Sequence, residues 1–281
     1  MKKNINNSNN LNLGFREITS NDLVYMISQN INTTHAFTTR IGGVSSNIYE
    51  SLNLAQRSGD DIENVRTNYS LICSALNISP DDIVCSNQVH GTNIRVVTQH
   101  DCGMLYKTNS HEADALITQT PGPALMVFTA DCVPVLLYDP VKKAAGAVHA
   151  GWRSTVANIV GKTVNKMIDE FGCSPSDIRA AVGPCISKCC FETGSDVIDA
   201  LKSNLKDNAI NCFTEHKNHE TNEKKYLVDL KEANRILLKN SGIENIVISD
   251  ECTSCKNDKY WSHRKTAGRR GSQVALIIIE K

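Results

Sequence analysis

A carboxylate and a thiol stand side by side at the joint of two apolar runs: Asp131 and Cys132 in FTADCVPVLLY. A third apolar run, GAVHAGWR, ends in His149, and NQVHGTNIRVV places His90 just before a strand-like stretch. An ionisable pair between core strands is costly unless something compensates it. Two imidazoles and one thiolate fill three corners of a tetrahedron and leave the fourth open, which is the pattern of a catalytic zinc. Cys132 and His149 are seventeen residues apart, too far for a local finger. Both nevertheless lie at ends of strand-like runs that can meet across a sheet. The plainer alternative is a buried free thiol beside hydrogen-bonded histidines, and spacing alone leaves both open.

Other thiols offer a second set. CTSC carries Cys252 and Cys255, and PCISKCC carries Cys185, Cys189 and Cys190. They read either as a structural zinc site or as separate buried thiols. The deaminase signature, His-x-Glu followed by Pro-Cys-x-x-Cys, is not met. His111-Glu112 and His219-Glu220 lack the intervening residue, and PCISKC has one residue too many.

Anion binding has two candidates. KNDKYWSHRKTAGRRGSQ carries Lys256, Lys259, His263, Arg264, Lys265, Arg269 and Arg270 beside Tyr260 and Trp261. It reads as a phosphate or nucleotide site, since arginine presents a planar fork to phosphate oxygens, or as a solvated basic loop. Arg40, before Gly42-Gly43, sets a guanidinium beside a turn whose amides can face an anion. No Gly-x-Gly-x-x-Gly or Walker loop is present.

The elements that must position these residues are mixed. HAFTTRIGGVS reads as a strand closed by a glycine turn, residues 62–76 have helical period, and NIRVVTQ alternates like a strand. Strand-like runs follow at 124–130, 133–138 and 144–149. STVANIVGKTVNKMIDEFG reads as one helix, capped by Ser154 and ended by Gly172. IRAAVG, NIVISD and QVALIIIE read as further strands, and a second helix starts near Asp229 and stops at Gly242. Many strands with a few amphipathic helices and no regular alternation indicate a mixed α/β single domain. Residues 1–14 read as a polar, Asn-rich tail, 15–281 as the catalytic domain, and 203–225 as a polar surface excursion.

Composition narrows the function classes. Of 281 residues, 41% are apolar and 21% charged, as in an ordinary globular protein, and the formal net charge is zero. A nucleic-acid partner would call for a basic excess. No apolar run approaches a membrane span and no signal peptide is apparent. Eleven cysteines without an export signal fit reduced thiols in the cytoplasm.

Taken in order, FTTRIGGVS, YESLNLAQRSGDDIENVRTN, NQVHG, DALIT, TADCVPVLLYDP, AAGAVHAGWR, AAVGPCIS and YWSHRKTAGRRGSQVALI resemble the laccase-domain, YfiH-like family. That family includes bacterial purine nucleoside phosphorylases and peptidoglycan editing factors. The likeness runs from about residue 35 to the C-terminus. It implies a layered α/β/α fold with mixed sheets. It implies zinc, with copper as the alternative, bound by His90, Cys132 and His149, and substrate contact by Arg40. The implied activities are phosphorolysis of adenosine, inosine and methylthioadenosine, adenosine deamination, copper-dependent oxidation of phenols, and removal of a wrong amino acid from a muramyl precursor. The expected partners are a purine nucleoside and phosphate, with Arg264 a second phosphate contact and Asp131 a proton shuttle. In the amidase alternative Cys132 is itself the nucleophile. His263 stands where many relatives carry an aromatic residue.

Overall fold

The run Val133–Asp139 is buried at every position, so it must be covered on both faces. Val133, Val135 and Leu137 enter one core cluster; Leu136 and Tyr138 enter another. The period-two alternation of a strand thus feeds two cores at once.

The computed structural model describes residues 14–103, 105, 111–217 and 223–280. The tail expected over 1–14 lies outside them except for Gly14, as does His219-Glu220. In chain order the first strands are β1 (Phe15–Ser20), β2 (Leu23–Ser28), β3 (His35–Thr38), β4 (Ile83–Val84) and β5 (Ile94–Val96). Then come β6 (Ala115–Thr118), β7 (Ala124–Thr129), β8 (Val133–Asp139), β9 (Ala144–Ala150) and β10 (Arg179–Val182). The last are β11 (Glu192–Thr193), β12 (Phe213–Lys217), β13 (Lys224–Val228), β14 (Asn245–Ile248) and β15 (Gln273–Ile278). The helices are α1 (Ile62–Leu76), α2 (Trp152–Val156), α3 (Ile159–Phe171), α4 (Ser195–Leu205) and α5 (Leu230–Asn240).

Two six-stranded mixed sheets, β1-β2-β3-β15-β7-β4 and β14-β10-β8-β9-β6-β5, stack face to face. Phe37, Val127 and Ile277 of the first meet Leu136, Ala147 and Ala181 of the second. The outer face of the first sheet packs on α1 through Val65, Tyr69 and Ile72. The outer face of the second packs on α3 and α5, and α4 joins the same core through α2 and β13. The layered expectation therefore holds with two central sheets, in the order helix, sheet, sheet, helix.

One local expectation is corrected. The single helix from Ser154 to Gly172 is broken at Ala157-Asn158. Asn158 takes the left-handed conformation (φ 58°) and its side chain accepts from the Gly161 amide, so it caps α3. Asparagine tolerates that region because its short polar side chain bonds locally. Ser154 sits inside α2 instead, its hydroxyl on the Gly151 carbonyl. Of the expected excursion at 203–225, residues 218–222 lie outside the described residues, and most of the described positions are exposed, with Leu205, Ala209 and Cys212 buried. The described residues of this span hold the end of α4, a 3-10 stretch at 206–212, β12 and the start of β13. β12 and β13 form a small sheet with β11.

Candidate metal centre and cavity

The joint that holds Asp131 and Cys132 is the place where the chain changes sheets. β7 belongs to the first sheet and β8 to the second, and residues 130–132 make the crossing. Asp131 turns the corner with a positive φ of 86°. Cys132 has the parity of Leu136 and Tyr138, so it faces the seam between the sheets. In the β8–β9 hairpin Pro134 pairs with His149 and Val133 with Ala150. That register puts Cys132 and His149 on the same face at the same end of the sheet.

His90 reaches this end from a loop, and one buried carboxylate holds it there. Asp114, fully buried just ahead of β6, accepts from the amides of Val89, His90 and Gly91 at 3.1, 3.0 and 2.8 Å. It also takes the Nδ1 of His149 at 2.7 Å. A single side chain therefore orients both imidazoles, the carboxylate–histidine arrangement usual behind metal ligands. His90 itself is left-handed (φ 59°), which aims its ring at the seam.

The donor set suits a metal. The ligand atoms of His90, Cys132 and His149 lie within 4.8 Å of one another, with His90 Nε2 at 3.8 Å from Cys132 Sγ. A tetrahedral zinc would set a nitrogen and a sulfur ligand roughly 3.6 Å apart. Gly151 leaves room for the trio. A Cβ there would come within 2.7 Å of His90 Cδ2 and 3.3 Å of Cys132 Sγ. Three protein donors leave a position for water or substrate, as in catalytic zinc sites.

The electrostatics favour a charged thiolate. Burial raises the Cys132 pKa, but the His149 and His90 imidazoles outweigh it and bring it down to about 6. Burial lowers that of His149, but Cys132 and Asp114 raise it to about 9. Burial likewise pushes the Asp114 carboxyl up. The bond to His149 and the amides of Gly91 and Val89 more than reverse this, and it stays below its ordinary value.

The trio opens into a cavity of about 530 Å³, within the size range of small-molecule sites. Its wall includes Arg57, Ser86, Asn87, Thr129, His263 and Arg270. Three buried polar atoms on this wall, Ser86 Oγ, Thr129 Oγ1 and Arg270 Nε, have no hydrogen-bond partner among the described residues. Buried polar groups are normally satisfied, so the wall is built for a polar ligand.

Three expected site residues are not on that wall. Arg40 stacks 3.9 Å over Trp261 and gives its guanidinium hydrogens to the carbonyls of Glu50 and Asn257. Arg264 bonds the carbonyls of Cys190 and Glu192. Asp131 accepts from the Thr253 hydroxyl and the Arg264 amide, both at 2.6 Å. The two carboxylate oxygens are thus occupied in tying residues 253–264 to the sheet crossing. The basic loop is neither wholly a ligand site nor a solvated run. Tyr260 and Trp261 are buried in it, while His263, Gly268 and Arg270 reach the cavity. The sequence reading did not single out Asp114. Its position in DALIT, directly before a strand, was the available signal.

The family model described as multi-copper polyphenol oxidoreductase laccase matches residues 34–280. A purine nucleoside phosphorylase of Bacteroides thetaiotaomicron is 37% identical over 265 residues, 91% of this chain and 94% of its own. The purine nucleoside phosphorylase YlmD of Bacillus subtilis is 35% identical over 246 residues, 86% of each chain. Among solved structures, the hypothetical protein YfiH of Bacillus licheniformis superposes with a TM-score of 0.87 at 33% identity, covering 95% of this chain and 99% of that one. YlmD from Geobacillus stearothermophilus gives 0.84 at 31% identity, with 94% and 99% covered. Among the described residues no helix is long and apolar enough to cross a membrane. By motif order, by fold and by these matches, the chain belongs to the laccase-domain family of YfiH-like proteins.

Proposed function

We propose that the chain is a zinc-dependent purine nucleoside enzyme. Its main reaction is phosphorolysis of adenosine, inosine and methylthioadenosine, with adenosine deamination a second. The observation that carries the reading is one cavity that holds the His90–Cys132–His149 trio together with partnerless polar atoms on Ser86, Thr129 and Arg270. The names of the Bacteroides and Bacillus relatives supply the substrate class.

In phosphorolysis a phosphate oxygen attacks C1′ of the ribose, and the bond from C1′ to the purine nitrogen breaks. Arg57 and Arg270 hold the dianion, because guanidinium matches phosphate oxygens by charge and by shape. The hydroxyls of Ser86 and Thr129 orient the ribose. The electron pair leaves with the purine, and His263, the lining imidazole outside the trio, hands it a proton. A zinc held by His90, Cys132 and His149 would supply Lewis-acid stabilisation of charge on an oxygen of the reacting groups.

A second reading has its own observation. Cys132, His149 and Asp114 form a thiol–imidazole–carboxylate relay, with a thiol already depressed to about 6. That would suit an amidase acting on a muramyl precursor. Purified protein is assayed with inosine and phosphate, and with muramyl amino-acid precursors, before and after metal chelation. Equal amounts of hypoxanthine and ribose 1-phosphate, lost on chelation and restored by zinc, support the first reading. Turnover of the precursor alone, unaffected by chelation, overturns it.

A further inference from the structure

Outside the cavity, the structure gathers four more sulfurs that the proposed reaction does not use. Cys189 and Cys190 come from the turn after β10, and Cys252 and Cys255 from the turn after β14. All four Sγ atoms lie within 4.8 Å of one another. Cys255 Sγ is 3.5 Å from that of Cys189 and 3.4 Å from that of Cys190, and the last two are 3.7 Å apart. A tetrahedral ion with bonds of ~2.3 Å to sulfur would separate its ligands by roughly 3.8 Å. A disulfide would need ~2.05 Å.

The backbone around the sulfurs is shaped for thiolates. Cys252 Sγ accepts from the Ser187 amide at 3.3 Å, and the amides of Ser254 and Cys255 also point to it. Amide donors folded over the first cysteine of a Cys-x-x-Cys turn stabilise a sulfur that carries charge. Both turns are fixed independently. The Thr253 amide bonds the Cys185 carbonyl at 3.0 Å, the Lys256 amide the Cys252 carbonyl at 3.0 Å, and the Cys190 amide the Ser187 carbonyl at 2.9 Å. The sulfurs are therefore brought together by two anchored turns from different parts of the chain. Cys189 and Cys255 are exposed, so an ion can enter from solvent.

The geometry points to a second metal site, a closed four-thiolate zinc centre of Cys189, Cys190, Cys252 and Cys255. Binding releases the thiol protons to solvent and forms four zinc–sulfur bonds with no change of oxidation state. Four protein ligands leave no open position, so the centre is structural. It clamps the segment that starts at Cys252 and runs to the cavity-lining His263 and Arg270. Arg264 reinforces the clamp by bonding the Cys190 carbonyl at 3.1 Å. The site does not depend on the reading of the cavity trio, because each is counted through its own variant.

The test is the metal content of full-length protein purified under reducing conditions. Wild type should carry two zinc per chain. Cys132→Ala should carry one, Cys189→Ser/Cys255→Ser one, and the triple variant none. In native wild type, thiol labelling mapped to peptides should leave Cys189 and Cys255 protected until a chelator is added. That measurement stands even if the double variant fails to fold. One zinc in wild type that the double variant keeps, immediate labelling of Cys189 and Cys255, a disulfide among the four, or a second ion that proves to be iron would each overturn the assignment.

Discussion

Two groups of candidate metal ligands sit on the same molecule and differ in burial, in donor number and in the elements that carry them. The His90–Cys132–His149 trio is built where two stacked sheets exchange a strand, with His149 buried and Asp114 fully buried behind it. The Cys189–Cys190–Cys252–Cys255 cluster is built from two turns, with two of its sulfurs exposed. The first offers three donors and faces a cavity; the second offers four. A rigid, incomplete donor set does chemistry, whereas a complete set on loops holds a fold together. The segment between Cys252 and Arg270 runs from the four-sulfur group to the cavity wall, where His263, Gly268 and Arg270 line it beside the trio.

Cys132→Ala should break the comparison most severely. It removes the only sulfur of the trio at a half-buried position, so the protein should fold while inosine phosphorolysis falls by at least about 10³-fold. Circular dichroism and steady-state kinetics on one preparation check both halves. Next in size is Asp114→Asn. Loss of a carboxylate that orients two ligands should weaken zinc binding by ~10–100-fold, read by competition with a chelator, while the four-sulfur site keeps its ion.

pH should separate the two sites further. With Cys132 held down at about 6 and His149 up at about 9, the metal-free pair is thiolate and imidazolium between those values. Zinc must displace one proton from the pair there, and two below about 6. Its apparent affinity at the trio should therefore rise with pH between about 6 and 9, and more steeply below about 6. An affinity that is flat over this range would show that the pair is not the ligand set.

The smallest effects contrast two arginines. Arg270→Lys keeps the charge but loses the fork. The KM for phosphate should rise roughly tenfold, about 1.4 kcal/mol, while any loss of stability stays limited to its bonds to the Gly271 carbonyl and the Ser272 hydroxyl. Arg40→Lys should do the reverse. It loses the stacking on Trp261 and bonds to two carbonyls, so stability should fall by about 1–2 kcal/mol with KM unaltered.

These arginines also show where the sequence stops being informative. Both stand close to glycines in polar stretches, and only the tertiary positions of Trp261 and Glu50 separate their roles. Cys132 and His149 stood out because each interrupts or ends an apolar run, and His90 because it precedes a strand-like stretch, but only the family resemblance joined the three. Asp114 did not stand out, because its meaning comes from amides of residues 89–91, more than twenty positions earlier. Apolar period located β7, β8, β9 and α5, but the break before α3 depends on one left-handed asparagine inside an unbroken apolar pattern. β12 and β13 escaped notice because much of their surface is polar and exposed. The stacking of two sheets was hidden for a different reason. Strands buried on both faces carry no alternation to say what covers each side.

The central claim is that one zinc held by His90, Cys132 and His149 is required for nucleoside turnover. Anomalous diffraction at the zinc edge, on crystals of protein whose activity has been measured, tests it most directly. The account predicts a peak ~2.3 Å from Cys132 Sγ and ~2.0–2.1 Å from a ring nitrogen of His90 and of His149, absent from crystals of inactive Cys132→Ala. Fully active protein with no anomalous density between these three side chains would contradict it.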